Sequence, residues 1–179
     1  MRAFTGRLRI AFLAFFISHI PITISIDAQA ALPLYPQALR DLVAWYCSVS
    51  GDVLMMEPHN KVWFSSIVLG EVMLQLPFFF VAVHMMYKHG DVAKSARYPR
   101  WFQKACLVYG SHVATTLIPI NGTLLVSSEM SPIQKMVTIT IYSPYWIFPL
   151  LLVWYAWEDD AGGANDKTPN NQDTRLKKE

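Results

Sequence analysis

Glu71 and Gln75 stand one helical turn apart near the middle of a 26-residue apolar run, Val62 to Tyr87. A carboxylate inside hydrocarbon is costly, so it normally faces protein or a cavity and has a task. The amide one turn on shares its helix face and can orient it. Pro77 follows, removing a backbone donor and inviting a bend. At about 1.5 Å per residue the run can cross a hydrocarbon core of roughly 30 Å. The chemistry to expect is charge pairing or proton transfer in a polar pocket within a membrane bundle. The bland alternative is a protonated acid bonded to a neighbouring helix.

Other apolar runs carry polar groups at matching depth. The first, Ile10 to Ile26, holds Ser18, His19, Pro21, Thr23 and Ser25 and ends at Asp27. Another, Trp101 to Val126, holds His112, Thr115, Thr116, Pro119 and Asn121, and the last, Ile133 to Trp157, holds Tyr142, Pro144, Tyr145 and Pro149. Counted from one membrane face, His19, Glu71, Thr116 and Tyr142 each fall eight to ten residues in, about 12 to 15 Å deep. Groups at a shared depth can satisfy one another or a ligand, and a proline in every run favours bends that open a cavity. Position alone leaves Asp27 either an exposed helix-end acid or a site residue. His19 and His112 read more readily as satisfied bundle residues than as proton carriers. Phe78 to Phe80 and Met85 and Met86 read as packing or lipid-facing residues.

The elements that must hold these groups follow from patterning. The 179 residues make one domain by length, are 53% hydrophobic and 13% aromatic, and are only 16% charged. Charges cluster in Arg2–Arg9, Lys88–Lys104 and Glu158–Glu179, leaving long apolar runs between, the pattern of a polytopic membrane protein. The expected fold is an all-α membrane protein, a four-transmembrane-helix bundle with proline-kinked helices and an intramembrane cavity. Its spans lie at about 8–26, 62–87, 101–126 and 133–157, making residues 1–157 the membrane domain. Residues 158–179, rich in Gly, Asn and charge, read as a disordered tail. Lys and Arg gather at the N-terminus, in Lys88–Arg100 and in the tail, which puts both termini in the cytoplasm. The Asp27–Lys61 connector then lies on the other side, with Ala38–Val49 a short interfacial helix and Trp45 and Tyr46 at headgroup level. A connector this long between spans more often covers a site than hangs loose.

Several features exclude functions or leave choices open. The net charge of +2, with no basic stripe, points away from nucleic acid. Cys47 and Cys106 would lie towards opposite faces, beyond the roughly 7 Å a disulfide allows, and show no metal-type spacing, so no metal or cofactor is expected. Asn121-Gly122-Thr123 matches a glycosylation acceptor but falls at the end of a span and reads as a false positive. The first run, with its basic start and Ala28-Gln29-Ala30, also mimics a cleavable signal peptide. It is long for a signal core and carries polar residues that a targeting segment does not need.

Taken together, Ser18-His19-Ile20-Pro21-Ile22-Thr23 with Asp27, Leu34-Tyr35-Pro36, Glu71-Val72-Met73-Leu74-Gln75-Leu76-Pro77-Phe78-Phe79, His112 with Thr115-Thr116-Leu117-Ile118-Pro119-Ile120, and Tyr142-Ser143-Pro144-Tyr145 resemble the EXPERA superfamily. The resemblance runs from about Ala14 to Leu152 and is nearest its sigma-2-receptor-like branch; the emopamil-binding sterol isomerases are another branch. It implies a retained first span in a four-helix endoplasmic-reticulum protein whose cavity opens towards lipid. By position it makes Asp27 the carboxylate that pairs with a ligand amine and Glu71 its protonated partner. Gln75, Thr116 and Tyr145 become pocket-wall residues, and Asp52 another acidic position of the family. The implied ligand is a sterol or other hydrophobic molecule, or a lipophilic amine. The partners it allows are membrane lipid, a membrane transporter and a second copy of the chain.

Two close acids in low dielectric do not both ionise cheaply, so they tend to share a proton and hold about one negative charge. That suits a buried cation, which aromatic faces also attract. The same pair, with His19, could protonate an alkene and stabilise the carbocation. Site chemistry therefore allows both a binding protein for sterol handling and a sterol or terpenoid isomerase or cyclase. Where the isomerase branch places a carboxylate four residues after the first-span histidine, this chain has Thr23, which favours binding.

Overall fold

In a computed structural model, residues 1, 3–89 and 97–165 are described, the last eight of these by backbone alone. The chain runs α1 (Gly6–Ser25), a 3-10 turn (Asp27–Ala30), α2 (Gln37–Ser50), α3 (Val53–Met56) and a second 3-10 turn (Pro58–Asn60). α4 (Val62–Gly70), a π-helical turn (Glu71–Gln75) and α5 (Leu76–His89) then form one continuous helical run, followed by α6 (Arg100–Val126) and α7 (Pro132–Asn165). Each apolar run is helical because a segment in hydrocarbon must satisfy its backbone groups internally.

Three of these segments are long and apolar enough to cross a membrane: Gly6–Ala30, Val62–His89 and Pro132–Trp157. α6 is as long, at 27 residues. Its Gln103, Lys104, Ser111, His112, Thr115, Thr116 and Asn121 keep it from qualifying on composition. The expected interfacial helix forms as α2. The last helix continues to Asn165 rather than ending at Trp157, and the remainder of the expected tail lies outside the described residues. Most of the Lys88–Arg100 connector does so as well.

α6 and α7 pack along much of their length, and α1 packs on α5. Gly110 sets the α6–α7 approach: a Cβ there would stand 2.6 Å from the Pro149 carbonyl oxygen and 2.5 Å from Val153 Cγ2. Close backbone approach through a small residue is how membrane helices associate without a hydrophobic drive between them. Around Phe12, Phe16, Phe79 and Phe102, all fully buried, lies a dry aromatic core. Phe4 stacks on Phe12 at 4.5 Å, Phe15 on Phe148 at 4.6 Å and Phe78 on Tyr109 at 4.4 Å. The Phe78–Phe80 string therefore divides: Phe78 and Phe79 pack inward, while Phe80 is exposed. Met85 and Met86 are both buried.

Prolines lie inside α1 (Pro21), α6 (Pro119) and α7 (Pro144, Pro149). Pro144 lacks the N–H that would reach the Thr140 carbonyl, and the Ser143 hydroxyl donates there instead, at 2.8 Å. Pro77 likewise cannot donate to Met73. The turn before it widens to π, with the Leu76 N–H reaching back to the Glu71 carbonyl. Such single π turns recur at functional sites, and this one carries Glu71 and Gln75 at its two ends.

Candidate functional site

His19, Thr23 and Asp27 follow one another at four-residue spacing and so share a face of the first helix. Thr23 is fully buried. Its hydroxyl oxygen lies 2.8 Å from Glu71 Oε1 and 3.3 Å from Asp27 Oδ2. A hydroxyl has one proton to donate. For both contacts to be hydrogen bonds, one carboxyl must itself be protonated and donate to the threonine oxygen. One proton shared between the two acids would satisfy both contacts, the arrangement that low dielectric favours.

His19 is 5% exposed and sits between rings, stacked on Phe79 at 4.4 Å and tilted against Tyr145 at 4.5 Å. Its Nε2 stands 3.6 Å from Glu71 Oε1, while its buried Nδ1 has no hydrogen-bond partner among the described residues. One histidine nitrogen and one oxygen each from Asp27 and Glu71 lie within 4.8 Å of one another. Gln75 does not bond to Glu71 as its spacing suggests; its amide reaches His112 Nδ1 on α6 at 3.4 Å.

These groups line a cavity of about 340 Å³. His19, Asp27, Glu71, Gln75, Thr116, Tyr142 and Tyr145 all contribute to its wall, and the rest is largely aliphatic and aromatic. Among the described residues no lysine or arginine lines it, and none of them offers the carboxylates a fixed cation there. Trp45, Val49 and Ile141 are both lining and exposed, which marks its open side. The Thr116 hydroxyl is spent on the Val113 carbonyl at 3.0 Å.

Asp52 does not line the cavity. Fully buried behind the wall, it accepts from the hydroxyls of Tyr46 at 2.9 Å and Tyr142 at 3.0 Å. Its other oxygen caps α3 through the backbone N–H groups of Leu54 and Met55. Gly51, with φ of +68°, ends α2 and turns the chain into this cap. Ser50 donates to the Tyr46 carbonyl, and its own carbonyl accepts from Thr138 of α7 at 2.8 Å. One buried acid thereby ties the connector to α7 and fixes two tyrosines that face the cavity. Burial, then the Asp52 charge, pushes the Tyr46 hydroxyl well above its ordinary range and the Cys47 thiol up to about 11.

The four groups expected at one depth share this cavity but not one network: His19 meets Glu71, and Tyr142 bonds to Asp52 instead. Thr23, which stands where the isomerase branch carries a carboxylate, bridges the two carboxylates of this chain; the 19–23–27 spacing is the available signal. Tyr46, expected at headgroup level, is bonded inward. Asn121 lies within α6, its amide bonded to the Leu117 carbonyl at 3.0 Å, and both cysteines are free thiols.

A membrane-type helical bundle with paired acids on an apolar cavity defines the class, and sequence comparison defines the family. Residues 38–156 match the model for EXPERA, the expanded EBP superfamily. The chain is 41% identical over 152 residues to sigma intracellular receptor 2 of Xenopus tropicalis, covering 79% of this chain and 83% of that protein. It is 34% identical to the Homo sapiens protein of the same name, over 78% and 81%. It is 30% identical to efficient mitochondria targeting-associated protein 19 of Saccharomyces cerevisiae, over 79% and 92%. The chain belongs to the EXPERA superfamily. It fits a multi-pass membrane protein.

Proposed function

We propose that this chain is an intramembrane sterol- or lipid-binding protein of the endoplasmic reticulum that acts in sterol handling. In this reading α6 is the fourth span, drawn in by its packing on α7, and both termini are cytoplasmic. The observation that carries the reading is the Asp27–Thr23–Glu71 cluster on an apolar cavity without a lysine or arginine in its wall. Such a site suits an elongated apolar molecule with one polar or cationic end. An ammonium would take the charge of the acid pair, with the Tyr145 ring beside it. The curated relatives named as receptors support a binding role, with a membrane transporter or a second copy of the chain as partner.

The test is saturable binding of a lipophilic tertiary amine to purified protein in lipid nanodiscs. Asp27→Asn should weaken binding by about 30-fold or more, the cost of removing one partner of a buried charge pair. Equal affinity in the variant would sink the reading.

A second reading, a sterol or terpenoid isomerase or cyclase, draws on the His19–Glu71–Thr23–Asp27 chain as a proton relay facing the same cavity. Incubation with Δ8 sterols or polyene terpenoids in deuterated water separates the two. Deuterium in the recovered lipid, lost in Glu71→Gln, would make the protein an enzyme. Saturable binding without deuterium uptake leaves it a binding protein.

A further inference from the structure

We infer that His19, Asp27 and Glu71 form a site for a divalent transition-metal cation of the zinc type, and that this cation competes with cationic ligands for the cavity. The inference goes beyond the ligand reading and needs only the three side chains.

Geometry comes first. One imidazole nitrogen and two carboxylate oxygens from separate residues lie within 4.8 Å of one another. Around a tetrahedral zinc with bonds of about 2.0 to 2.1 Å, neighbouring donors stand roughly 3.3 Å apart. The His19 Nε2 to Glu71 Oε1 separation is 3.6 Å, already close to that edge and too long for a hydrogen bond. With all donors within 4.8 Å of one another, the remaining gap is at most about 1.5 Å.

Charge is the second argument. Two carboxylates and one neutral imidazole around a dication sum to zero, the cheapest state for a buried site. The acid pair must otherwise keep a proton, which the cation would displace; metal binding by carboxylates releases protons in this way. No lysine or arginine of the wall stands in the cation's place.

The third is the histidine itself. His19 is 95% buried by its 5% exposure, and neither ring nitrogen makes a hydrogen bond: Nδ1 has no partner among the described residues and Nε2 reaches Glu71 only at 3.6 Å. Nε2, the nitrogen 3.6 Å from Glu71, is the one placed to take a cation at the cavity wall. Imidazole with two carboxylates selects zinc and its neighbours over calcium or magnesium, which take oxygen ligands. The remaining coordination position opens on the cavity, where a ligand heteroatom or water can complete it. An ammonium and the cation need the same two carboxylates, so binding of one excludes the other.

The experiment uses the whole chain, tag-free, in nanodiscs after chelator treatment, titrated calorimetrically with Zn²⁺ and, separately, Ca²⁺ and Mg²⁺. One saturable Zn²⁺ site per chain is expected, with neither Ca²⁺ nor Mg²⁺ matching it. His19→Phe keeps a ring between Phe79 and Tyr145 and should weaken Zn²⁺ at least ten-fold. His59→Ala, in the exposed connector, should leave it unchanged. Metal-free melting of His19→Phe within a few degrees of the parent shows that the loss is local. X-ray absorption at the zinc edge should give nitrogen and oxygen neighbours near 2.0 Å and no sulfur. Zn²⁺ should also raise the apparent Kd of the tertiary-amine probe in proportion to its concentration. Amine binding that Zn²⁺ leaves untouched, or Zn²⁺ affinity equal in His19→Phe, overturns the metal site and leaves the ligand reading standing. Zn²⁺ binding that depends on His19, with no amine or sterol bound, upholds the site and removes the ligand reading.

Discussion

The molecule has two interiors. One is dry and aromatic, built on Phe12, Phe16, Phe79 and Phe102, and nearly all its contacts are ring against ring or ring against aliphatic side chain. The other is the polar cavity region, where Asp27, Glu71 and Asp52 are held by hydroxyls and backbone donors and His19 stands 3.6 Å from Glu71. The boundary runs through Phe79 and Tyr145, each touching His19 with one face. The first interior is held by shape, apart from Gln103, which accepts from the Met1 amine and donates to the Ala156 carbonyl, and the Tyr109 hydroxyl, which has no partner among the described residues. The second joins elements far apart in sequence, Thr23 to Glu71 and Asp52 to Tyr142, so its groups are available to something that offers a better pairing. The contrast assigns stability to the aromatic region and recognition to the polar one.

The sharpest probe of that division is Asp52, a polar residue assigned to structure. Asp52→Ala would leave two tyrosine hydroxyls and two helix N–H groups unpaired, and should cost about 3 kcal/mol. It should weaken ligand binding as well, because Tyr46 and Tyr142 lose their anchor, although Asp52 does not line the cavity. Denaturant unfolding and amine binding in parallel would check this; full affinity in a destabilised variant would break the link.

Next in size is Phe12→Ala. In a bilayer the transfer part of a core truncation largely vanishes and the cavity part remains, about 2 kcal/mol for a void the size of a benzyl group. Unfolding should register it while amine affinity stays unchanged, since Phe12 lies away from the cavity. A smaller effect, about 1 kcal/mol, is expected for Gly51→Ala, which forces a side chain into a left-handed conformation at the end of α2. Thermal melting would read it. The smallest expectation concerns rate. With its thiol pushed up to about 11 by burial and by Asp52, Cys47 should resist alkylation at pH 8 and react readily once the chain is unfolded. Mass spectrometry of the labelled peptide would show this; rapid labelling of the folded protein would place Cys47 on the surface.

Much of this was legible in the residues themselves. Apolar runs of 20-odd residues must be helices, because hydrocarbon leaves backbone groups no other partner. A glutamate in the middle of one must face inward. The motif strings gave the family, and seven of the eight expected site residues do line one cavity. Local signals failed where the answer depended on a neighbour. Gln75 was given to Glu71 by helical spacing, but the π turn before Pro77 hands it to His112. Thr23 stands in place of an acid, and nothing on its own helix discloses that Glu71 lies 2.8 Å away.

Sequence by itself determined that this chain forms membrane-type helices, and that acids, a histidine and prolines sit within them. Those are consequences of composition and period, which are local properties of the chain. Tertiary structure decided that one threonine hydroxyl joins two carboxylates, that Asp52 stands behind the wall rather than in it, and that His19 faces Glu71 without reaching it. Distances between helices depend on packing partners such as Gly110 against Pro149, and no stretch of sequence read alone contains them.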